Sequence, residues 1–245
     1  MDRAALEREA KNFGIQLKKT QLEAFALFEK KLYEANKVMN LTRVPQEECW
    51  KRHFLDSLCI SPLISKNAHV LDIGSGGGLP GVALAIARDD LYVTCLDSSN
   101  KSVGFLSQIF GVRGSLPVLF AVILGRAEEV AHDARYREKY DIVTGRALAP
   151  LALQAELSAG FVKVGGVFLP MRTPREIQDA KNLQAQKLGM TLTDLKSISI
   201  PPLNAVRLIP VYKKQGRTPA EFPRAWAKIK TSPLGTVSAM ETEEG

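Results

Sequence analysis

Residues 70–84 read VLDIGSGGGLPGVAL: an apolar run, an aspartate, a cluster of glycines and the opening of a helical pattern. A strand that passes through glycines into a helix is where an open parallel sheet places its ligand, beyond the carboxyl ends of its strands. Glycines leave no side chain between a ligand and the backbone or the helix amino terminus. The stretch reads as a cofactor site built from Asp72, Gly74, Ser75, Gly76 and Gly78.

Residues 76–81 satisfy G-x-G-x-x-G, a pattern that is weak when it stands alone. The carboxylate separates the two cofactor classes. A dinucleotide loop must accept a doubly charged pyrophosphate, which an aspartate two positions ahead of the first glycine would repel. S-adenosylmethionine has no phosphate and carries a sulfonium and an α-ammonium, cations that an acid at a strand end suits. S-adenosylmethionine is therefore the expected cofactor, and an NAD-dependent oxidoreductase is the weaker enzyme reading. The following run, YVTCLD, ends in Asp97, placed to accept both hydroxyls of an adenosine ribose. Its plainer role is a helix cap before Asn100, which Ser98 or Ser99 could fill equally well.

Working outward, short apolar runs fit strands at 70–73, 92–96, 118–124, 141–144, 167–171, 191–200 and 205–212. Helical patterns fit between the first five and after them, at 79–87, 100–110, a short one after Ala127, 150–161 and 174–187, the last with Thr173 and Pro174 as cap and first-turn residues. Strand and helix in strict alternation imply a mostly parallel sheet covered on both faces. The last two strands are joined only through Pro201, Pro202 and Asn204, so they close the sheet as an antiparallel hairpin. Upstream, Thr20 and Glu23 form a T-x-x-E capping box ahead of an apolar stripe at Leu22, Phe25, Phe28 and Leu32. A second helix is expected after Pro45, with Trp50, Phe54 and Leu58 along one face as core. The expected organisation is one α/β domain over 1–245: N-terminal helices to 64, a Rossmann-like core over 65–213, and a basic segment with a polar, disordered tail over 214–245.

With 33 lysines and arginines against 26 acids, the net charge of +7 favours polyanionic partners. Cys49, Cys59 and Cys95 are an odd set without C-x-x-C spacing, so no disulfide framework and no metal site is expected. The first ten residues are charged and helical, not a signal peptide, and the longest apolar run, 116–124, is too short to span a bilayer. These features lead us to expect a cytoplasmic protein with no membrane partner, and a monomer is favoured.

The motifs in combination carry a resemblance. NLT at 40–42, R-H-x-L-D-S at 52–57, DIGSGGGLPG at 72–81, LDS at 96–98, GRAEE at 125–129 and GRA at 145–147 together resemble the glucose-inhibited division protein B (RsmG) family of bacterial 16S ribosomal RNA guanine-N7 methyltransferases. The resemblance runs from about residue 15 to 235. It implies a class I S-adenosylmethionine-dependent methyltransferase fold with a seven-stranded sheet in the order 3-2-1-4-5-7-6. It also implies methyl transfer to N7 of a guanine in the decoding-region loop of 16S rRNA, with the small ribosomal subunit as partner. By position, the donor would be held by Gly74 and Leu79, by Asp97, Ser98 and Ser99, by Ala127 and Glu128, and by Arg146. A non-catalytic ribosome-binding or cell-division factor that kept the fold is the alternative.

Guanine N7 has an exposed lone pair, so its alkylation needs no prior deprotonation. Catalysis by alignment of that nitrogen with the donor is the expectation, and positioning of this kind is worth on the order of 7–11 kcal/mol. Arg146 and Arg126, each directly after an apolar strand, are the candidates for orienting the substrate. For Arg126, pairing with Glu128 or Glu129 is an equal alternative. His53 reads as a buried histidine bonded to Asp56 or to backbone, His69 and His132 as surface residues. Arg172, Lys213, Lys214, Arg217, Arg224, Lys228 and Lys230, with Phe222 and Trp226 interleaved, fit a surface that follows phosphates and stacks on bases.

Overall fold

A computed structural model describes residues 1–110 and 120–235. In chain order it contains α1 (Arg3–Ala10), α2 (Lys19–Met39), a one-turn α3 (Asp56–Leu58), β1 (His69–Ile73), α4 (Gly81–Ala87), β2 (Tyr92–Asp97), α5 (Asn100–Phe110), β3 (Phe120–Leu124) and α6 (Ala127–Val130). The second half adds β4 (Tyr140–Arg146), α7 (Leu151–Ala159), β5 (Val162–Met171), α8 (Ile177–Asn182), β6 (Met190–Ile200), β7 (Ala205–Lys214) and α9 (Trp226–Thr231). The seven strands form one sheet in the order β3-β2-β1-β4-β5-β7-β6. The first five pair in parallel, and β7 runs antiparallel to both β5 and β6. This is the expected topology, terminal hairpin included.

Side chains alternate along each strand, and the two faces of the sheet bury different clusters. Val70 faces the helices α1, α2, α4 and α5, among Leu6, Phe25, Phe28, Leu32, Phe54, Val82 and Leu106. Leu71 and Ile73 face the opposite cluster, with Val143, Leu151, Ala155, Phe161, Phe168 and Tyr212. Phe54 lies between Phe25 and Phe28, with ring centroids 4.9 and 5.6 Å away. The N-terminal helices thus share a core with the sheet, and Trp50, Phe54 and Leu58 are packing residues as expected.

Several local expectations change. Helix α2 starts one residue before Thr20, and Gln21 supplies the reciprocal bond by accepting from the Lys18 amide at 2.8 Å. The segment after Pro45 is a 3-10 turn followed by a π-helical stretch, Trp50–Leu55, that runs into α3. The expected helix at 174–187 is broken into a 3-10 turn, α8 and a second 3-10 turn at Ala185–Leu188. Leu183 and Ala185 are both buried, and residues two apart do not share a helical face. Asn40 ends α2 in the left-handed conformation. The first two residues of the strand expected at 118–124, and the polar tail from 236, lie outside the described residues. Among the described residues no helix is long and apolar enough to cross a membrane.

Candidate functional site

The carboxyl ends of β1, β2, β3 and β4 surround a cleft of about 270 Å³. Gly74, Asp97, Ser98, Ala127 and Glu128 line it, together with Ile73, Leu96, Gly125, Leu148 and Leu157. At Gly74 φ is +68°, and a Cβ would stand 2.4 Å from Leu148 Cδ1, so only glycine keeps this corner open. Asp97 organises the floor. Its Oδ2 accepts from the Gly76 amide and its Oδ1 from the Ser99 amide, both at 2.8 Å, while the Gly125 amide donates to its carbonyl. Each carboxylate oxygen keeps a further lone pair for a hydroxyl. The helix-cap role falls to Ser99, whose Oγ accepts from the Ser102 amide.

Other residues expected around the cofactor support the loop from beneath. Asp72 falls on the Val70 face of β1 and is fully buried against α4, where its Oδ2 accepts from the Gly81 amide at 2.8 Å. Its Oδ1 has no hydrogen-bond partner, and burial pushes its pKa up to about 7. The carboxylate therefore does not stand at the cleft mouth, because strand alternation turns it inward. It fastens the start of α4, which passes so close that a Cβ on Gly81 would meet Cys95 Sγ at 2.7 Å. Ser75 is buried and donates to the Asp72 carbonyl. Gly78 packs on Val82 and Leu106, and Leu79 belongs to the core cluster. None of Asp72, Ser75, Gly76, Gly78, Leu79 and Ser99 is among the residues lining the cleft.

A second, larger basin of about 680 Å³ opens beside the first. Lys51, Arg52, Arg146, Arg172 and Arg207 line it with Glu48, Asp56 and Glu176, and the two share one residue, Ala147. Ala147 adopts φ +54°, a left-handed conformation that costs an alanine about 1–2 kcal/mol. Arg146 on one side of it lines the basin, and Leu148 on the other lines the cleft. Arg146, expected against the donor, is thus turned into the basin. Its Nη1 donates to Asp56 Oδ2 at 2.6 Å and to the Arg52 carbonyl, and its Nη2 to His53 Nδ1 at 3.1 Å.

Asp56 is the hub that sequence reasoning missed. It is 1% exposed and also accepts from Arg207 Nε at 2.6 Å. It stands in the R-H-x-L-D-S run, but Arg207 is far away in sequence and only the terminal hairpin delivers it. His53 is buried as expected, yet its partners are Arg146 and Thr42 in place of Asp56 or backbone. With Nδ1 accepting from Arg146, the ring proton is on Nε2 and is donated to Thr42 Oγ1 at 2.6 Å. Burial and the neighbouring Arg146 charge push the His53 pKa down to about 4, so the ring is neutral at pH 7. His69 is exposed and stacked on Tyr92, and His132 is exposed with Nε2 against the Pro223 carbonyl. Arg126 lines the cleft and pairs with Glu128 at 2.8 Å, the plainer of its two expected roles.

The expected RNA-facing cations separate into two groups. Lys213, Arg217, Lys228 and Lys230 are exposed. Lys214 is buried, donating to the Ala159 and Val162 carbonyls and to Thr218 Oγ1, and burial lowers its pKa to about 8. Strand alternation places it on the face opposite Lys213, under α7, where no phosphate reaches. Arg224 is bound to the buried Glu156 through Nε at 2.8 Å and Nη2 at 2.6 Å. Arg172 is 6% exposed, donating to the Ala149 carbonyl, to Glu176 and to Gln154, which in turn donates to the Gly145 carbonyl. Arg172 and Arg224 hold the fold together at the basin wall and at the C-terminal segment.

Comparison with known proteins agrees with this arrangement. The family described as rRNA small subunit methyltransferase G matches residues 21–208. The ribosomal RNA small subunit methyltransferase G of Lachnoclostridium phytofermentans is 37% identical over 238 residues, covering 95% of this chain and 98% of that protein. Its counterpart in Caldanaerobacter subterraneus is 38% identical over 237 residues, covering 94% and 97%. Among solved structures, a predicted O-methyltransferase of Agrobacterium tumefaciens matches with a TM-score of 0.52 at 18% identity, over 66% of this chain and 81% of that one, a likeness of fold alone. The seven-stranded order with its antiparallel hairpin, the glycine loop between β1 and α4, and relatives matched along nearly their whole length lead to one conclusion: the chain belongs to the rRNA small subunit methyltransferase G family.

Proposed function

We propose that this chain transfers a methyl group from S-adenosylmethionine to N7 of a guanine in 16S rRNA of the small ribosomal subunit. The observation that carries the reading is the meeting at Ala147 of a nucleoside-sized cleft and an arginine-lined basin. The cleft residues fit an adenosyl donor: apolar Ile73, Leu96, Leu148 and Leu157 suit a base, and Asp97 suits a ribose diol. When bound, the donor supplies an electrophilic methyl on sulfur. Gly74 and Asp97 would hold it at the strand ends, and the basin would receive the acceptor base and its phosphates. Among the described residues the acids and the histidine of the basin are all engaged, Glu48 by Lys51 and Arg52 and Glu176 by Arg172. His53 is neutral with both nitrogens engaged, and Asp56 is tied to two arginines. Arg146 therefore acts by orientation, held rigidly by Asp56, His53 and the Arg52 carbonyl.

Incubation with methyl-labelled donor and small subunits lacking the modification, followed by mapping of the labelled nucleotide, tests the reading. A single labelled guanine, sensitive to N7-specific cleavage, is expected. Donor binding without label in any RNA would overturn it. The two groups of lysines give a second expectation. Lys228→Ala with Lys230→Ala should weaken RNA affinity and flatten the slope of log Kd against log salt by about one to two. Lys214→Met should leave that slope unchanged and lower stability by about 1–3 kcal/mol, because two backbone carbonyls lose their buried donor. Filter binding across a salt series and urea melts check both.

A further inference from the structure

We propose that the indole of Trp226 forms a wall of the donor cleft, the surface on which the adenine of the donor lies, an inference that rests on the donor occupying that cleft. Trp226 is half-buried and lines the cleft together with Gly125, Arg126 and Ala127. It belongs to the basic C-terminal segment, where Lys228 and Lys230 are exposed.

The segment that carries it is fastened for this purpose. Ile229 of α9 is fully buried against Leu153 and Leu157 of α7. Arg224 clamps the buried Glu156 and donates to the Ser232 carbonyl at 2.9 Å, which bridges the two ends of α9. The ring itself is held by cations, with the Arg126 guanidinium 5.4 Å and Lys230 Nζ 5.7 Å from its centroid. Arg126 is fixed in turn by Glu128. Trp226 closes a cleft whose other walls are Ile73, Leu96, Leu148 and Leu157, and the only flat aromatic group the donor offers to such a wall is its base. The diol is already provided for by Asp97. The basic segment thereby acquires a second task, and donor binding becomes linked to its docking.

The chain has two tryptophans, and Trp50 lies against the first core cluster, which makes emission a direct reporter. In Trp50→Phe protein, saturating S-adenosylhomocysteine should change the emission of Trp226 and shield it from acrylamide. Calorimetry should find Trp226→Ala binding S-adenosylhomocysteine about ten-fold more weakly, and Trp226→Phe close to the unaltered protein. Unchanged emission and acrylamide access in Trp50→Phe protein that binds the compound would overturn the wall and leave the donor reading standing, as would full affinity in Trp226→Ala. Absence of binding to the unaltered protein would overturn both.

Discussion

Replacing Asp56 by alanine is expected to lower the free energy of unfolding by about 3–5 kcal/mol. The carboxylate is 1% exposed and takes Arg146 on one oxygen and Arg207 on the other, each at 2.6 Å. Both guanidiniums are largely sheltered from water, with side chains 19% and 24% exposed. Without Asp56 the two positive charges would lose the carboxylate they share. Water can reach neither well enough to replace the lost partner, which is why breaking such a pair costs far more than forming it gains. Against a typical total of about 5–15 kcal/mol this is a large fraction, and the urea midpoint should fall with little change in slope. Arg207→Met should cost less, because the Arg146–Asp56 pair survives it.

Methyl transfer should fall even where the Asp56→Ala protein remains folded, since Arg146 would lose the contact that fixes its guanidinium in the basin. Donor affinity separates this from a general collapse. Asp56, His53 and Arg146 line the basin but not the cleft, so S-adenosylhomocysteine should bind with affinity changed less than about two-fold, the size of effect expected for a site without shared contacts. A stability loss under 1 kcal/mol, or donor affinity lost in step with transfer, would show that the hub has been assigned wrongly.

The framework was legible because each of its signals is local. Apolar runs separated by helical patterns, and the two prolines ahead of Asn204, point to a mostly parallel sheet closed by an antiparallel hairpin, while the strand order follows from the family resemblance. Gly74 and Asp97 were legible for the same reason, since strand ends converge in this fold, and the resemblance added Ser98, Ala127 and Glu128 at the neighbouring strand ends. Legibility failed where direction mattered more than position. Asp72 sits at its expected strand position and Lys214 ends a strand that runs two residues past its expected limit, and in both places the two-residue alternation of a strand turns the side chain inward. Arg224 could not be told from an exposed arginine without knowing that Glu156 faces it across 68 residues of chain. The Asp56 hub joins β4, the π-helical turn, α3 and β7, and contacts of that range have no periodicity to betray them.

The same hub should show itself in the pH dependence of stability. His53 ordinarily titrates near 6.5 when the chain is unfolded and near 4 in the folded protein, because burial and Arg146 disfavour its charged form. Between those values the unfolded chain binds the extra proton, so stability is fully present above pH 6.5 and is lost as pH falls toward 4, by about 3 kcal/mol. Asp72 acts in the opposite sense. Its folded pKa is raised from 3.8 to about 7, so its contribution is present at low pH and is lost as pH rises through 7. Over pH 4–6.5 the two slopes oppose each other, and the unaltered protein should change less than either group alone would require. His53→Gln should therefore gain stability relative to the unaltered protein as pH falls through this window, while Asp72→Asn should lose it. Urea melts at half-unit intervals of pH would reveal the pair of opposite slopes. Parallel curves for His53→Gln and the unaltered protein would mean that the ring is already protonated when buried, and Arg146 could not then be donating to Nδ1.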